Sequence, residues 1–254
     1  MKLSIITATL NNEKSINKTL DSIISQSYKN FEVIFIDGLS TDNTQKIIKN
    51  SKIKNKILIN QKKRGVYNAF NLGIKKATGD VIIILNADDN FKHKDTLLEI
   101  KNFFLYNKNI DLLMSNVEIV NEKKYIIRNY NCNNFSNYMF YFGHMPPHPG
   151  IFIRKRLYIK YGLFEEDFEN AGDYEFLLRM LLIKKVRFKK LKKCFIQMSY
   201  GGKSNKNFKS YITNTKEIKK ALKKNNIRTS YILIIVRFFI KIFQFTNIYS
   251  ARQK

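Results

Sequence analysis

Apolar and polar positions follow two alternating patterns in the first third of the chain. Short runs rich in β-branched residues predict strands, and these runs are Leu3 to Thr9, Phe31 to Ile36, Lys56 to Ile59 and Val81 to Leu85. Between the runs, apolar residues recur at helical spacing: Ile16, Leu20, Ile23 and Ile24, then a segment up to Lys49, then Tyr67, Phe70, Ile74 and Ala77. Strands that alternate with helices predict a parallel sheet covered by helices on both sides.

Polar residues and glycines at the borders of these segments predict where the helices begin and end. Asn11 and Asn12 can cap the first helix, and Ser40 or Thr41 can cap the second. Gly79 can end the third helix. Because sites in such sheets lie at the carboxyl ends of the strands, we expect the chemistry in the residues that follow the strands.

The pattern after Leu85 is less regular and predicts mixed α and β structure. It indicates a helix over Thr96 to Tyr106, strands at Asp111 to Ser115 and Lys124 to Arg128, a loop through Pro149, a strand over Gly150 to Arg154, a helix after Asp173 and a basic strand over Val186 to Met198. From residue 206 onward the pattern is helical. We therefore predict an α/β domain over residues 1–205 and a basic amphipathic helical tail over residues 206–254.

Composition adds a strong positive charge to this picture. The 254 residues include 46 Lys and Arg against 20 Asp and Glu, which gives a formal net charge of +26. This charge favours an anionic partner, and nucleic acid, nucleotide phosphates and acidic lipid headgroups all qualify. Alternatively, many of the lysines are solvated surface residues without a specific function.

Cysteine usage and the amino terminus bear on the compartment. Cys132 and Cys194 are far apart and in no metal-ligand spacing, so neither a disulfide framework nor a zinc site is expected. The first apolar run is too short for a secretory signal. We therefore expect a cytoplasmic protein.

Carboxylates follow the second predicted strand. Asp37 ends the run that begins at Phe31, and Asp42 comes shortly afterwards. A carboxylate at the end of a buried strand can accept hydrogen bonds from a base or a ribose that lies across the sheet edge. Both residues can instead organise the turn between strand and helix, and this turn role is the favoured interpretation for Asp42.

The fourth predicted strand delivers a second polar group to its carboxyl end, namely Asn86, Ala87, Asp88 and Asp89. Hard oxygen ligands crowded at a strand terminus suit Mg²⁺ or Mn²⁺, and such an ion would bridge diphosphate oxygens and neutralise a departing nucleotide. A capping or turn role is the alternative. We favour the metal site.

A third group of candidates lies in the irregular half. Asp173 begins an amphipathic helix, where it can act as a general base on an acceptor hydroxyl or cap the helix. His144 and His148 lie in a rigid proline-containing segment that can border an acceptor site or help to hold the metal, or they can simply bind backbone. Arg179 can reach a phosphate or pair with Glu175, and we favour the pair because of its i,i+4 spacing.

Together, these groups resemble the family 2 glycosyltransferases, which have the GT-A fold. The similar stretches, which appear in the family's order, are Ser4 to Asn11, Ile36 to Asp42, Gly65 to Ile74, Gly79 to Asp89 and Ala171 to Glu175. The resemblance implies a mainly parallel central sheet flanked by helices. It also implies nucleotide and donor binding by Thr7, Thr9, Asn11, Asp37, Asn71, Asn86 and Ala87, metal binding by Asp88 with Asp89 nearby, and base catalysis by Asp173. His148, from the rigid proline-containing segment, is the candidate for the acceptor side.

The activity implied by the resemblance is an inverting transfer of a sugar from a nucleotide diphosphate carrier, with uridine diphosphate as the first choice. The expected acceptor is a glycan or a lipid-linked saccharide in cell-surface polysaccharide biosynthesis. Asn86 departs from the family's Asp-x-Asp motif, so one anionic contribution to the metal site is missing. The chain contains no tryptophan and therefore lacks the Gln-x-x-Arg-Trp motif of processive synthases, so we expect one sugar to be added per encounter.

Two other functions are weighed against this one. A sugar nucleotidyltransferase would need a glycine-rich phosphate loop after the first strand, and the sequence has none there. A basic module that binds membranes or nucleic acid would explain the charge but not the carboxylates at the ends of predicted elements. We expect no nucleic-acid partner.

The tail contains an apolar run from Tyr231 to Phe245 that is interrupted by Arg237, Lys241 and Gln244. As a helix it would be about 22 Å long, shorter than the ~30 Å hydrocarbon core of a bilayer. At helical spacing its polar residues form one narrow stripe. We therefore expect a helix in the membrane interface that holds the protein on the inner face of the cytoplasmic membrane, with packing against the protein as the alternative.

Overall fold

The computed structural model of the protein describes residues 1–63, 65–121, 123–200 and 208–237. The strands are β1 (Leu3–Thr9), β2 (Phe31–Asp37), β3 (Lys56–Asn60), β4 (Val81–Ile84), β5 (Asp89–Phe91), β6 (Leu112–Val120), β7 (Ile126–Tyr130), β8 (Ile151–Arg154) and β9 (Phe188–Ser199). The helices are α1 (Ile16–Ile24), α2 (Thr44–Asn50), α3 (Val66–Lys76), α4 (Thr96–Tyr106), α5 (Lys155–Tyr161), α6 (Gly172–Leu178), α7 (Phe208–Lys224) and α8, described over 231–237. Two 3₁₀ segments, Asn137–Phe142 and His148–Gly150, precede β8, and a π-helical stretch, Arg179–Ile183, continues α6.

The described strands form one nine-stranded sheet. Its order is β3-β2-β1-β4-β8-β6-β9-β5, and β7 lies beside β6. The first four strands of this order are parallel, whereas β8 runs antiparallel to both β4 and β6. The prediction of an α/β fold with a parallel sheet flanked by helices is therefore confirmed for this half of the sheet, and the other half is mixed.

Two hydrophobic clusters cover opposite faces of the sheet. Successive side chains of a strand point to opposite faces, so β1 sends Leu3 and Ile5 to one cluster and Ile6 to the other. Helices α1, α2 and α4 pack on the first face, and α3, α5, α6 and α7 pack on the second. In the described residues the carboxyl ends of the parallel strands lead into loops and turns, and we call this side of the sheet the open edge.

The predicted helix borders in the first half need three corrections. Helix α1 begins after Ser15 and not at an Asn11 or Asn12 cap, because the Asn12 backbone oxygen, rather than a side chain, accepts its first N–H groups. Helix α2 begins at Thr44, since the Ser40 hydroxyl is used by Asp37 instead. Gly79 does not end α3, which stops at Lys76.

Gly79 has a packing role in place of the predicted helix end. A Cβ atom at this position would lie 2.6 Å from the Ser4 hydroxyl and 2.9 Å from the Leu3 carbonyl carbon. Such distances are too short for a carbon atom, so only glycine lets the chain pass this close to β1.

The irregular half also differs from the prediction in detail. Strand β5 and helix α5 are present but were not predicted, and β6 extends beyond its predicted end at Ser115 to Val120. The segment predicted as a loop through Pro149 contains the two 3₁₀ turns. Strand β7 begins two residues later than predicted because Lys124 has a positive φ of 62° and turns the chain.

The described tail helices pack against the rest of the protein. Ile218, Ala221 and Leu222 of α7 and Ile234 of α8 are buried in the cluster that also contains α6. Arg237 points inward and donates to Asn214 and Thr215, so the predicted outward polar stripe is wrong at this residue; Lys241, Gln244 and Phe245 lie outside the described residues. The division between 1–205 and 206–254 stays a prediction. None of the described helices is both long and apolar enough to cross a bilayer.

Candidate active site

The open edge of the sheet gathers most of the predicted site residues. Register pairs Thr9 with Asp37 and Asp37 with Asn60, so β1, β2 and β3 end side by side. The turn that carries Asp88 leaves the carboxyl end of β4. His148 precedes the amino end of β8, which runs antiparallel to β4, and so it lies at the same edge.

Asp37 is fully buried and holds this edge together. Its Oδ1 accepts hydrogen bonds from the Thr9 hydroxyl at 2.8 Å and the Ser40 hydroxyl at 2.6 Å. Its Oδ2 accepts from the Ser40 N–H and from the Gln45 amide, both at 2.7 Å. Asp37 therefore organises the turn between β2 and α2, and a nucleotide that contacts this carboxylate has to share it with these donors. Gln45 was missed by the sequence analysis because helical periodicity gives it no distinguishing signal.

Asn11 joins the loops that follow β1 and β2. It has a positive φ of 52°, which asparagine tolerates better than most residues. Its side-chain oxygen accepts from the Thr41 N–H at 2.9 Å, and its own N–H donates to Ser40. Thr7 is buried in β1, and its hydroxyl has no hydrogen-bond partner among the described residues. These residues shape the part of the edge where the nucleotide is predicted to bind, and their direct contact with a donor stays a prediction.

The Asn86–Asp89 segment forms a tight turn. The Asp89 N–H donates to the Asn86 backbone oxygen, and the Asn86 side chain donates to the Asp89 carboxylate at 2.8 Å. The Thr19 hydroxyl binds the Asp89 backbone oxygen, and the Ser199 hydroxyl binds that of Asp88. The turn is therefore held in place from both α1 and β9.

The two adjacent acids of this turn have different surroundings. Asp89 is 1% exposed, and its burial, followed by the charge of Asp88, raises its pKa well above the usual range. Asp88 is half-buried and Ala87 is buried. Asp88 is thus the more exposed of the two acids, whereas Asp89 supports the turn, and the contact of either acid with a metal stays a prediction.

This arrangement fits a divalent cation that is shared with a ligand. In the described part of the chain no three histidine, cysteine or acidic side chains cluster as a protein-only metal site. Mg²⁺ is usually held by one or two carboxylates together with phosphate oxygens and water. A half-buried carboxylate beside a second acid is a donor set of this kind.

Asp173 lies at the start of α6 and is partly accessible. Its Oδ1 accepts from the Tyr67 hydroxyl at 3.2 Å and from the Tyr174 N–H at 2.8 Å. No donor to its Oδ2 is found among the described residues. Burial raises the pKa of Asp173. The nearby His148 and these hydrogen bonds lower the pKa and partly offset this rise. The carboxylate is thus oriented through one oxygen and can accept a proton through the other.

Tyr67 is a site residue whose sequence signal is only that of an apolar position on α3. Burial, followed by the charge of Asp173, raises the pKa of its hydroxyl well above the usual range, so this group stays protonated and donates. Its ring stacks on Phe164 at 5.8 Å between centroids. A Cβ on Gly172 would lie 2.7 Å from this ring, so the glycine allows the chain of Asp173 to approach Tyr67.

His148 lies against the aromatic group formed by Tyr67, Phe70 and Phe164. Its ring centroid is 6.1 Å from those of both Phe70 and Phe164. Burial lowers the pKa of His148, and the charge of Asp173 partly opposes this effect. The structure therefore brings His148, Tyr67 and Asp173 together, whereas His144 packs beside Tyr130.

Two further predicted residues have structural contacts. Asn71 bonds through both ends of its amide to the Phe164 backbone, at 2.9 and 3.0 Å, and also reaches Glu166 at 3.1 Å. Asn71 thereby fixes the loop that contains Phe164 and Glu166. Its role in donor binding stays a prediction. Arg179 forms a bidentate pair with Glu175, which confirms the expected helix pair.

Comparison with known proteins places this geometry in a family. The pattern described as glycosyl transferase family 2 matches residues 4–165. An Escherichia coli relative named UDP-Glc:alpha-D-GlcNAc-diphosphoundecaprenol beta-1,3-glucosyltransferase is 31% identical over 125 residues, which is 49% of this chain and 49% of the relative. The chain spans 20%, 28% and 49% of the length of the first three curated relatives that it matches.

Solved structures share the fold at low sequence identity. Staphylococcus aureus TarS 1-349 in complex with UDP-GlcNAc superposes with a TM-score of 0.67 at 19% identity, over 92% of this chain and 70% of that one. The mannosyltransferase of Pyrobaculum calidifontis in complex with GDP-Man and Mn²⁺ gives a TM-score of 0.63 at 19% identity, over 88% of this chain and 63% of that one. The described architecture is the GT-A fold, and the chain belongs to glycosyl transferase family 2.

Proposed function

We propose that the protein is an inverting glycosyltransferase that moves one sugar from a nucleotide diphosphate donor to a saccharide acceptor. The observation that carries the proposal is the state of Asp173. One oxygen of this carboxylate is held by Tyr67 and by a backbone N–H, and the other has no protein donor in the described part of the chain. Such a group at the open sheet edge suits a general base.

In the proposed reaction, the acceptor hydroxyl attacks the anomeric carbon of the donor sugar. Asp173 takes the hydroxyl proton on Oδ2 as the new carbon–oxygen bond forms. The bond between the anomeric carbon and the phosphate oxygen breaks, and its electron pair leaves with the nucleotide diphosphate. Attack from the side opposite the leaving group inverts the anomeric centre. His148 borders the acceptor side because it lies beside Asp173 on the aromatic group.

The other half of the open edge would bind the nucleotide diphosphate of the donor. Asp37, Thr9 and Asn11 would bind the nucleoside, and the Asn86–Asp89 turn would hold the diphosphate. Asp88 would bind Mg²⁺ or Mn²⁺, an ion that supplies positive charge to the departing diphosphate. The half-buried position of Asp88 after the carboxyl end of β4 and the Mn²⁺ named for the Pyrobaculum protein support this part of the proposal.

The proposed donor is a UDP-sugar and the proposed acceptor is a lipid-linked saccharide. The Staphylococcus structure is described in complex with UDP-GlcNAc, and the Escherichia coli relative is named for UDP-Glc and a diphosphoundecaprenol acceptor. The diphosphoundecaprenol acceptor named for the Escherichia coli relative supports a role in cell-surface polysaccharide biosynthesis.

We also propose that the protein works at the inner face of the cytoplasmic membrane. Helix α8 exposes Tyr231, Ile232, Leu233 and Ile235, and Ile232 is 77% exposed. Beside it lies a cavity of about 480 Å³ lined by Lys219, Lys223 and Arg228 among others. Apolar side chains flanked by cations suit the interface of a membrane that contains acidic lipids.

Liposome flotation tests the membrane proposal with a matched pair of variants. Ile232→Asp should reduce recovery of the full-length chain with anionic liposomes. Ile159→Asp changes an equally exposed isoleucine on α5 and should leave recovery unchanged. Equal recovery of both variants with the lipid would contradict the role of α8.

A donor panel tests the transferase proposal. Purified protein is incubated with UDP-, GDP- and dTDP-sugars, with lipid-diphosphate saccharides as acceptors, and nucleotide release is measured with and without Mn²⁺. We expect acceptor-dependent release from one UDP-sugar, stimulated by the metal. Absence of release from every donor, together with binding of the protein to liposomes, would favour a membrane-binding module instead.

A further inference from the structure

Helix α7 contacts the backbone that leads into the Asp173 helix. The carboxylate of Glu217 accepts hydrogen bonds from three consecutive N–H groups: from Glu169 at 2.7 Å, Asn170 at 2.7 Å and Ala171 at 2.8 Å. These N–H groups come directly before α6. An ionised acceptor forms shorter and stronger hydrogen bonds than a neutral one, so Glu217 fixes this short stretch of chain.

The stretch held by Glu217 sets the position of the candidate base. Ala171 precedes Gly172, which lies against the Tyr67 ring, and Asp173 follows. A shift of the 169–171 backbone would therefore move the Asp173 carboxylate away from the Tyr67 hydroxyl. Misplacement of a catalytic group by about 1 Å can cost on the order of 100-fold in rate.

Other polar contacts between α7 and this region are more exposed. Lys220 pairs with Asp167 at 2.7 Å, but the two side chains are 45% and 52% exposed. Exposed ion pairs contribute little because water and salt screen them. Glu217, in contrast, is half-buried and satisfies backbone donors that the α6 helix does not use.

We propose that Glu217 is a positioning residue that acts on the transfer reaction through Asp173. The inference rests on the proposed function of Asp173 as the base. Helix α7 would thereby take part in the reaction, because its Glu217 holds the backbone that leads to Asp173. The same helix precedes α8, which has the exposed apolar side chains.

The test uses the full-length chain with Glu217→Gln, Glu217→Ala and the control Lys220→Gln. Glutamine keeps the shape of the side chain but loses the charge and faces one N–H with an NH₂ group. We expect kcat for acceptor-dependent nucleotide release to fall about 3- to 10-fold for Glu217→Gln and roughly 10- to 100-fold for Glu217→Ala. Donor Kd from calorimetry should stay within about 2-fold, and Lys220→Gln should match the wild type.

A double-mutant cycle separates positioning from general support of the fold. If Glu217 acts through Asp173, then Glu217→Ala should cause almost no further loss in an Asp173→Asn background. All assays are run well below the unfolding midpoint of each variant. If Glu217→Ala does not fold, Glu217→Gln replaces it in the cycle.

The outcomes distinguish this inference from the proposed function. Equal losses from Glu217→Ala in the two backgrounds would overturn positioning, as would a parallel loss of donor affinity or an equal loss in Lys220→Gln. An Asp173→Asn variant with a normal rate would instead overturn the role of Asp173 as the base. A full loss in Asp173→Asn with no loss in either Glu217 variant would leave the proposed function intact and overturn only the role of Glu217.

Discussion

Replacing Tyr67 with phenylalanine removes one hydroxyl from the candidate site and leaves the buried ring in place. The hydroxyl donates to Asp173 Oδ1 at 3.2 Å. A hydrogen bond to the charged form of an acid lowers its pKa, so its loss raises the pKa of Asp173 further. Burial already raises this pKa. Since a base must be deprotonated to act, the acid limb of the pH–rate profile should move to higher pH.

The size of this effect follows from the bond length. Hydrogen bonds to charged groups contribute about 1.5 to 3 kcal/mol, but 3.2 Å is long for an O–H to oxygen contact. We therefore expect about 1 kcal/mol, which is about 5-fold in kcat/KM on the acid limb. At pH values well above the limb, the variant should reach a rate within about 2-fold of the wild type.

The assay is acceptor-dependent nucleotide release between pH 4.5 and 9, values chosen to span the ordinary range of carboxylates and histidines. Tyr158→Phe is the matched control, because Tyr158 is also buried and stacks on Phe176, but the raised pKa of its hydroxyl comes from burial without a contribution from Asp173. Its acid limb should coincide with that of the wild type. An unchanged limb in Tyr67→Phe, or a limb moved to lower pH, would refute the link between the Tyr67 hydroxyl and the base.

Three other variants test separate parts of the structure. Asp37→Ala should weaken UDP binding more than it slows transfer, and it should lower the free energy of unfolding by about 2 to 4 kcal/mol because four donors lose their acceptor; equal UDP affinity by calorimetry would restrict Asp37 to the turn. Asp88→Asn should reduce UDP affinity in Mn²⁺ to the value measured without metal, and an undiminished response to Mn²⁺ would remove Asp88 from the metal site. Glu32 is buried, which raises its pKa, but hydrogen bonds from Lys2, Ser4 and Thr78 outweigh this effect and lower it to about 2. The stability that the Glu32 carboxylate contributes is therefore complete above its unfolded pKa and is lost as pH falls through its folded pKa. In urea unfolding, Glu32→Gln should lower the free energy of unfolding by about 2 kcal/mol at pH 7 and by progressively less between pH 4.5 and 2.

The first half of the fold could be predicted because its signals are local. Strands β1 to β4 contain continuous apolar runs, and α1 and α3 have clear helical periodicity. The helix caps could not be predicted as well. Ser40 and Asn11 are good capping residues by type, but neither caps a helix here. The Ser40 hydroxyl donates to Asp37, and the Asn11 side-chain oxygen accepts from the Thr41 N–H in the neighbouring loop.

Elements of the second half depend on partners that are distant in sequence. Strand β5 has three residues and exists because it pairs with the end of β9, where Asp89 lies opposite Met198. Helix α5 buries only Leu157 and Tyr158, too few positions to produce a periodic signal. Long-range pairing therefore decides structure that local propensity leaves open.

The candidate site shows the same limit. Asp88 could be singled out from the residues around it, whereas Asp173 became a candidate base only through the order of the motifs, which indicated the family. The contacts that orient Asp173 could not be predicted from the sequence. Tyr67 lies 106 residues from Asp173, and Glu217 lies 46 to 48 residues from the backbone groups that it binds. A sequence indicates which groups can react, whereas the fold decides which side chains hold them.

The most direct test of the account compares Asp173→Asn with the wild type at neutral pH. Donor affinity is measured by calorimetry, and acceptor-dependent nucleotide release is measured with the same donor and metal. The account predicts an affinity close to that of the wild type and transfer slower by ~10²- to 10⁴-fold, the usual contribution of a positioned base. Transfer by Asp173→Asn at the wild-type rate would contradict it.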